Sequence, residues 1–95
     1  MKIEIVTIAE EFRLYSLKVK SNDETLKFNF NFQSSDIEKL ETFIKKIEID
    51  LNNGKIDDEN EEINFTYELF STLMTKGNMR EFLAKAKEIK KMIKE

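Results

Sequence analysis

From Leu26 to Gln33 the chain alternates strictly, with Leu26, Phe28, Phe30 and Phe32 set against Lys27, Asn29, Asn31 and Gln33. Successive side chains of an extended strand point to opposite faces, so the rings share one face and polar groups hold the other. Such a strand needs apolar cover on one side and water on the other. That is the requirement of an antiparallel sheet packed on one face only. The rest of the chain must supply the cover.

Two segments have the right pattern. Ile37, Leu40, Ile44, Ile47 and Leu51 recur at spacings of three and four, with Phe43 beside them, which predicts a helix over 36–52. Ser35-Asp36-Ile37-Glu38 reads as a capping box at its start. Asn52-Asn53-Gly54 reads as a left-handed stop at its end. Met79, Phe82, Leu83, Ala86, Ile89 and Ile93 predict a second helix over 79–94, after a break at Lys76-Gly77-Asn78. Ile3, Ile5 and Ile8 mark a strand over 2–8. Tyr15, Leu17 and Val19 mark another over 12–20, and Ser21-Asn22-Asp23-Glu24 is a turn signal. Ile63, Phe65, Tyr67 and Leu69 mark a strand over 62–69. Residues 70–75 fit a continuation of that strand past a bulge, a short fifth strand, or a helical turn. The expected order is β-β-β-α-β-α: an α+β, two-layer sandwich in which an antiparallel sheet of about four strands carries two helices on one face. Lys18, Lys20 and Lys27 are expected to blunt its edges.

A chain of 95 residues with no Pro and two Gly suits a single domain, 1–95, without a linker. It has no His and no Cys, which removes Cys–His and Ser–His catalysis, thiolate redox chemistry, disulfides and structural zinc. No carboxylate sits in an apolar context and no Gly-rich phosphate loop is present, so the expectation is a protein that is not an enzyme and takes no cofactor or metal. The alternating, charged N-terminus does not read as a signal peptide, and no stretch approaches a membrane span, so a cytoplasmic location is expected. Heavy use of Lys, Glu, Ile, Asn and Phe fits an AT-rich bacterium or its phage.

Charge is unevenly spread. Residues 36–68 hold four basic and eleven acidic side chains, and residues 69–95 hold seven basic and three acidic, within a net charge of −3. Asp50 to Glu62 resembles an EF-hand calcium loop, but Gly54 and the oxygen ligands cannot be brought into register together. The run Asp57, Asp58, Glu59, Glu61 and Glu62 has two readings: a solvated loop, or a mimic of phosphate charge that competes for a basic groove. Phe28, Phe30 and Phe32 have the spacing of base-stacking rings, but the helices need an apolar partner, so the rings are expected inside.

Nothing here points to direct binding of nucleic acid or membrane. The remaining reading is a small acidic binding protein that inhibits a larger protein partner by covering it. Asp57, Asp58, Glu59, Glu61 and Glu62 would steer the encounter, and Tyr67, Phe70 and Met74 would act as apolar anchors. In size and charge the chain resembles phage-encoded anti-defence proteins, including anti-CRISPR proteins. The resemblance implies a nucleic-acid-binding effector as partner. The layout from Leu26-Lys27-Phe28-Asn29-Phe30 through Ile37, Leu40, Phe43 and Ile44 is similar to bacterial immunity proteins, which implies a toxin as partner. A third class is a virion or other structural component that pairs with its own copies through a sheet edge. Both a monomer and a homodimer fit the sequence.

Overall fold

The computed structural model describes residues 1–21, 26–54 and 58–95. It is an α+β fold with five strands in two antiparallel sheets and two helices. Strands β1 (Lys2–Ala9), β2 (Leu14–Lys20) and β3 (Lys27–Phe32) form a meander in the order β1-β2-β3. Helix α1 (Ile37–Asn52) follows. Strands β4 (Glu62–Tyr67) and β5 (Phe70–Thr75) then form a separate hairpin, and helix α2 (Lys76–Lys94) ends the chain. The four-strand expectation is corrected to five. Of the three readings left open for 70–75, the fifth strand is the one adopted, because Phe70, Thr72 and Met74 pair with Tyr67, Phe65 and Ile63. The expected turn residues 22–24 lie outside the described residues.

The inward faces meet the two helices. Phe30, Phe32, Leu40, Phe43, Ile47, Phe65, Phe70, Met79, Phe82 and Ile89 are all buried in one cluster. Phe43 is its hub. Its ring centroid lies 4.8 Å from Phe30, 5.5 Å from Phe32, 4.8 Å from Tyr67 and 5.3 Å from Phe82, so one α1 side chain touches both sheets and α2. Such tilted and edge-on pairs suit the quadrupole of the rings. The expected inward placement of the β3 phenylalanines holds for Phe30 and Phe32. Phe28 is half-buried and meets Phe70 at 5.1 Å.

Several local details differ from the sequence expectation. The cap before α1 lies two residues earlier. The Gln33 N–H donates to the Asp36 carboxylate at 3.2 Å and the Asp36 N–H to the Gln33 carbonyl at 2.8 Å, closing a 3-10 turn at Ser34–Asp36. Helix α2 runs through Lys76-Gly77-Asn78, because the Thr75 hydroxyl accepts the Asn78 N–H at 3.1 Å and serves as N-cap. Asn53 closes α1 in right-handed geometry, and no Gly has a positive φ, so the left-handed stop is not used. The register slips between Thr7 and Ala9, which turns Ile8 out to solvent. Lys18 and Lys20 sit on the central strand and guard no edge; the edges are β1 and β3.

The two helices are antiparallel. Lys87 lies 3.8 Å from Glu48, and Lys90 and Lys94 lie 4.0 Å from Glu41. Part of the basic excess after residue 69 therefore answers acids of α1. Arg13 ties the first hairpin to the last helix: its guanidinium donates to the Ile93 carbonyl at 3.0 Å, where α2 leaves carbonyls unpaired.

Candidate interaction surface

The acidic segment forms the foot of the β4–β5 hairpin, and most of its described charge is engaged within the chain. Asp58 closes its own turn, accepting the Asn60 N–H on its carboxylate at 2.9 Å and the Glu61 N–H on its carbonyl at 3.0 Å. The Glu59 carboxylate pairs with Arg80, and its carbonyl takes the Gly77 N–H at 3.0 Å. Glu61 lies 3.1 Å from the ammonium of Lys76, and its carbonyl takes the Lys76 N–H at 2.8 Å. Lys76 is buried, an unusual place for a lysine, and Glu61 supplies the opposite charge that burial demands. Gly54 makes room for this pair: a Cβ there would stand 2.4 Å from the Lys76 Cε and 3.3 Å from a Glu61 oxygen. Glu62 opens β4 and is exposed. Asp57 lies outside the described residues.

The expected anchors are placed differently from the sequence reading. Phe70 and Met74 are core residues, and Tyr67 is half-buried with its ring against Phe43. The reason is register. Tyr67 and Phe70 face each other across a two-residue turn, so 70, 72 and 74 inherit the inward side. Alternation places Leu69 on the apolar face of a strand over 62–69, but β4 ends at Tyr67: Leu69 is 96% exposed at the turn, and Leu73 is 57% exposed on the outer face of β5. Counting parity from a Glu68-Leu69 turn would have found Leu73. Glu68 holds the turn at φ 54°, a left-handed conformation that favours Gly, Asn or Asp. The Tyr67 phenol is pushed above its ordinary value, first by burial and second by the neighbouring Glu68 carboxylate.

Beside the tip, a slot of about 190 Å³ runs along β3, lined by Asn29, Asn31, Lys39, Tyr67 and Glu68 among others. In the segment Asp50 to Glu62, whose EF-hand register fails, Asp50 is held by Lys46 at 2.6 Å and Glu61 by Lys76. Among the described residues no three acidic, His or Cys side chains converge as metal ligands. No described helix is long and apolar enough to cross a membrane. Comparison with protein-family models, with curated proteins and with solved structures finds no match for the chain.

Proposed function

We propose that the chain is a small non-enzymatic binding protein that inhibits a larger protein by covering part of its surface, with the β4–β5 hairpin as the covering element. The observation that carries this reading is the exposure of Leu69 and Leu73 on a hairpin whose other side is anchored by Phe65, Phe70 and Met74. Apolar side chains on a rigid support lose little entropy on docking, and a few such anchors supply most of the affinity of an interface. Asp58, Glu59, Glu62 and Glu68 lie from the foot of the hairpin to its tip, which favours a basic partner. A nucleic-acid-binding effector inhibited in the cytoplasm of a bacterial host is the form this takes, as in an anti-defence protein. Relative to the sequence expectation, the anchors move from Phe70 and Met74 to Leu69 and Leu73, and Glu61 leaves the steering set because it serves Lys76. In this reading the two sheets form one layer over the helices, so strand exteriors and hairpin tip are the working surface.

The test is affinity capture from host lysate with the tagged chain, alongside the variant Leu69→Asp/Leu73→Asp. The expected result is one nucleic-acid-binding protein retained by the parent chain and weakened at least about tenfold by the double variant. Undiminished capture by the double variant would remove the hairpin from the interface. A captured toxin would replace the anti-defence form with an immunity role.

A further inference from the structure

We infer that β1 pairs edge to edge with β1 of a second copy of the chain. The argument starts from the direction of backbone groups. In an antiparallel ladder the residues that exchange N–H···O bonds alternate with residues whose N–H and C=O point away from the partner. The Ser21 N–H bonds the Leu26 carbonyl at 2.9 Å, which makes 21 and 26 a bonded pair. Counting back along the register, the odd residues of β2 bond to β3 and the even ones bond to β1. Lys2, Glu4 and Val6 are therefore the β1 residues bonded to β2, and the N–H and C=O of Ile3, Ile5 and Thr7 face the open edge.

Both edges of the three-stranded sheet are open, but unequally. The β3 edge is flanked by the hairpin tip at Tyr67 and Glu68 and by Lys39. Among the described residues, the β1 backbone bonds to β2 alone. Natural edges are protected by Pro, by inward charges or by early bulges. Residues 2–7 of β1 have no Pro, place their charges outward at Lys2 and Glu4, and bulge only after Thr7. Ile5 points to the core side and packs against the core, yet stays half-buried.

Charge selects the register and the occupant. The Lys2 ammonium and the Glu4 carboxylate lie 3.8 Å apart on the outer face. An antiparallel pair with its two-fold axis at Ile3 sets Lys2 of each copy opposite Glu4 of the other, so the four charges alternate around a square. A two-fold at Glu4 would oppose two carboxylates, and one at Ile5 would leave both charges against Val6 and Ile8. Opposite charges across a pair stabilise it and like charges oppose it. The result is a continuous six-stranded sheet across the dimer, with Ile3, already buried in each chain, at the two-fold. This surface is separate from the hairpin proposed above and does not depend on it.

The experiment is sedimentation velocity of the full chain from low micromolar to millimolar concentration, with five variants. The apparent mass is expected to rise towards twice the 11.3 kDa of the chain. Ile5→Pro deletes an N–H that faces the open edge and leaves the ladder to β2 intact, so it should stay folded by circular dichroism and remain monomeric. Ile5→Lys places a charge at the same edge and serves if the proline variant does not fold. Glu4→Lys should weaken association about tenfold or more, and adding Lys2→Glu should restore it, because the swapped pair has the same complementarity. Asn29→Pro, on the β3 edge, should leave association unchanged. A monomer at all concentrations overturns the inference, and so does association that survives the Ile5 variants or is lost with Asn29→Pro.

Discussion

At the foot of the β4–β5 hairpin, Glu61 sits 3.1 Å from a buried ammonium, Glu59 holds Arg80, and Gly54 leaves the space that Lys76 occupies. At its tip, Glu68 is held at φ 54° and Leu69 stands almost wholly in water. The same two strands are over-determined at one end and strained and bare at the other. The difference shows where charge and apolarity are put to use. The run of acids that reads as an interaction device is largely internal fastening. The residues left for a partner include two leucines without any charge pattern to announce them.

The largest test of this contrast is at the foot. Removing one member of a buried ion pair leaves the other charge buried without its partner, which costs about 3–5 kcal/mol. Lys76→Ala should lower stability by about that amount in urea unfolding. Replacing the pair together, as Lys76→Met/Glu61→Leu, should recover most of the loss, since well-packed apolar side chains often substitute for such a pair. A Lys76→Ala variant within about 0.5 kcal/mol of the parent would show that the foot is not held by this pair.

Gly54→Ala probes the same contact from the other side. The added methyl would fall 2.4 Å from the Lys76 Cε, so either the lysine stem or the end of α1 must move. Overpacking of this kind costs about 1–3 kcal/mol. Since Gly54 has no positive φ, the loss would report crowding and not backbone strain. In the Lys76→Ala background most of the penalty should vanish, because only the Glu61 oxygen at 3.3 Å remains close. Equal penalties in both backgrounds would mean that Gly54 serves the backbone after all.

The same contrast explains what could be read in advance. Strands β1–β3 and helix α1 follow from alternation and a three-four stripe, both local patterns, and their spans match to within two residues. The inward placement of Phe30 and Phe32 followed because nothing else could cover the helices. What was not legible depends on residues distant in sequence. Glu61 meets Lys76 across fifteen positions, and Gly54 is placed by that pair, so the acids looked free and the glycine looked like a helix stop. Residues 70–75 were ambiguous because Phe-Ser-Thr-Leu-Met-Thr suits more than one element until the Tyr67–Phe70 pairing sets its phase. With the phase unset, Phe70 and Met74 looked available and Leu73 did not stand out. Ser16 is a similar case. It is 1% exposed with no hydrogen-bond partner among the described residues, although serine in a strand normally signals the solvent face. Ser16→Ala should raise stability by about 1 kcal/mol, by removing a buried hydroxyl without a partner.

At the tip the expected changes are smaller and of opposite sign. Glu68→Gly relieves a left-handed conformation that glycine adopts freely, and should stabilise by up to about 1 kcal/mol. It also removes the carboxylate that helps hold the Tyr67 phenol above its ordinary value. A raised phenol pKa means that the unfolded chain ionises first. Stability is therefore unaffected by Tyr67 below the unfolded value near 10 and falls as pH rises through and beyond it. In the Glu68→Gly variant the phenol should titrate lower by absorbance, yet still above the ordinary value, because burial is the larger cause. An unchanged titration would separate Glu68 from Tyr67.

The smallest effect on stability is expected at Leu69. Its side chain is almost fully in water, so Leu69→Ser should change the unfolding free energy by less than about 0.5 kcal/mol. Glu59→Gln makes a matched comparison at the foot. The Glu59–Arg80 pair is largely exposed, and exposed pairs contribute about 0–1 kcal/mol, so that variant should be nearly as silent. The two should part in the binding measurement. Leu69→Ser removes an apolar anchor and should raise the dissociation rate of the captured partner. Glu59→Gln removes a rim charge and should mainly lower the association rate and its dependence on salt. If both variants alter only association, the hairpin steers the partner without anchoring it, and the apolar contact must lie elsewhere, with exposed Phe12 at the turn after β1 the next residue to replace.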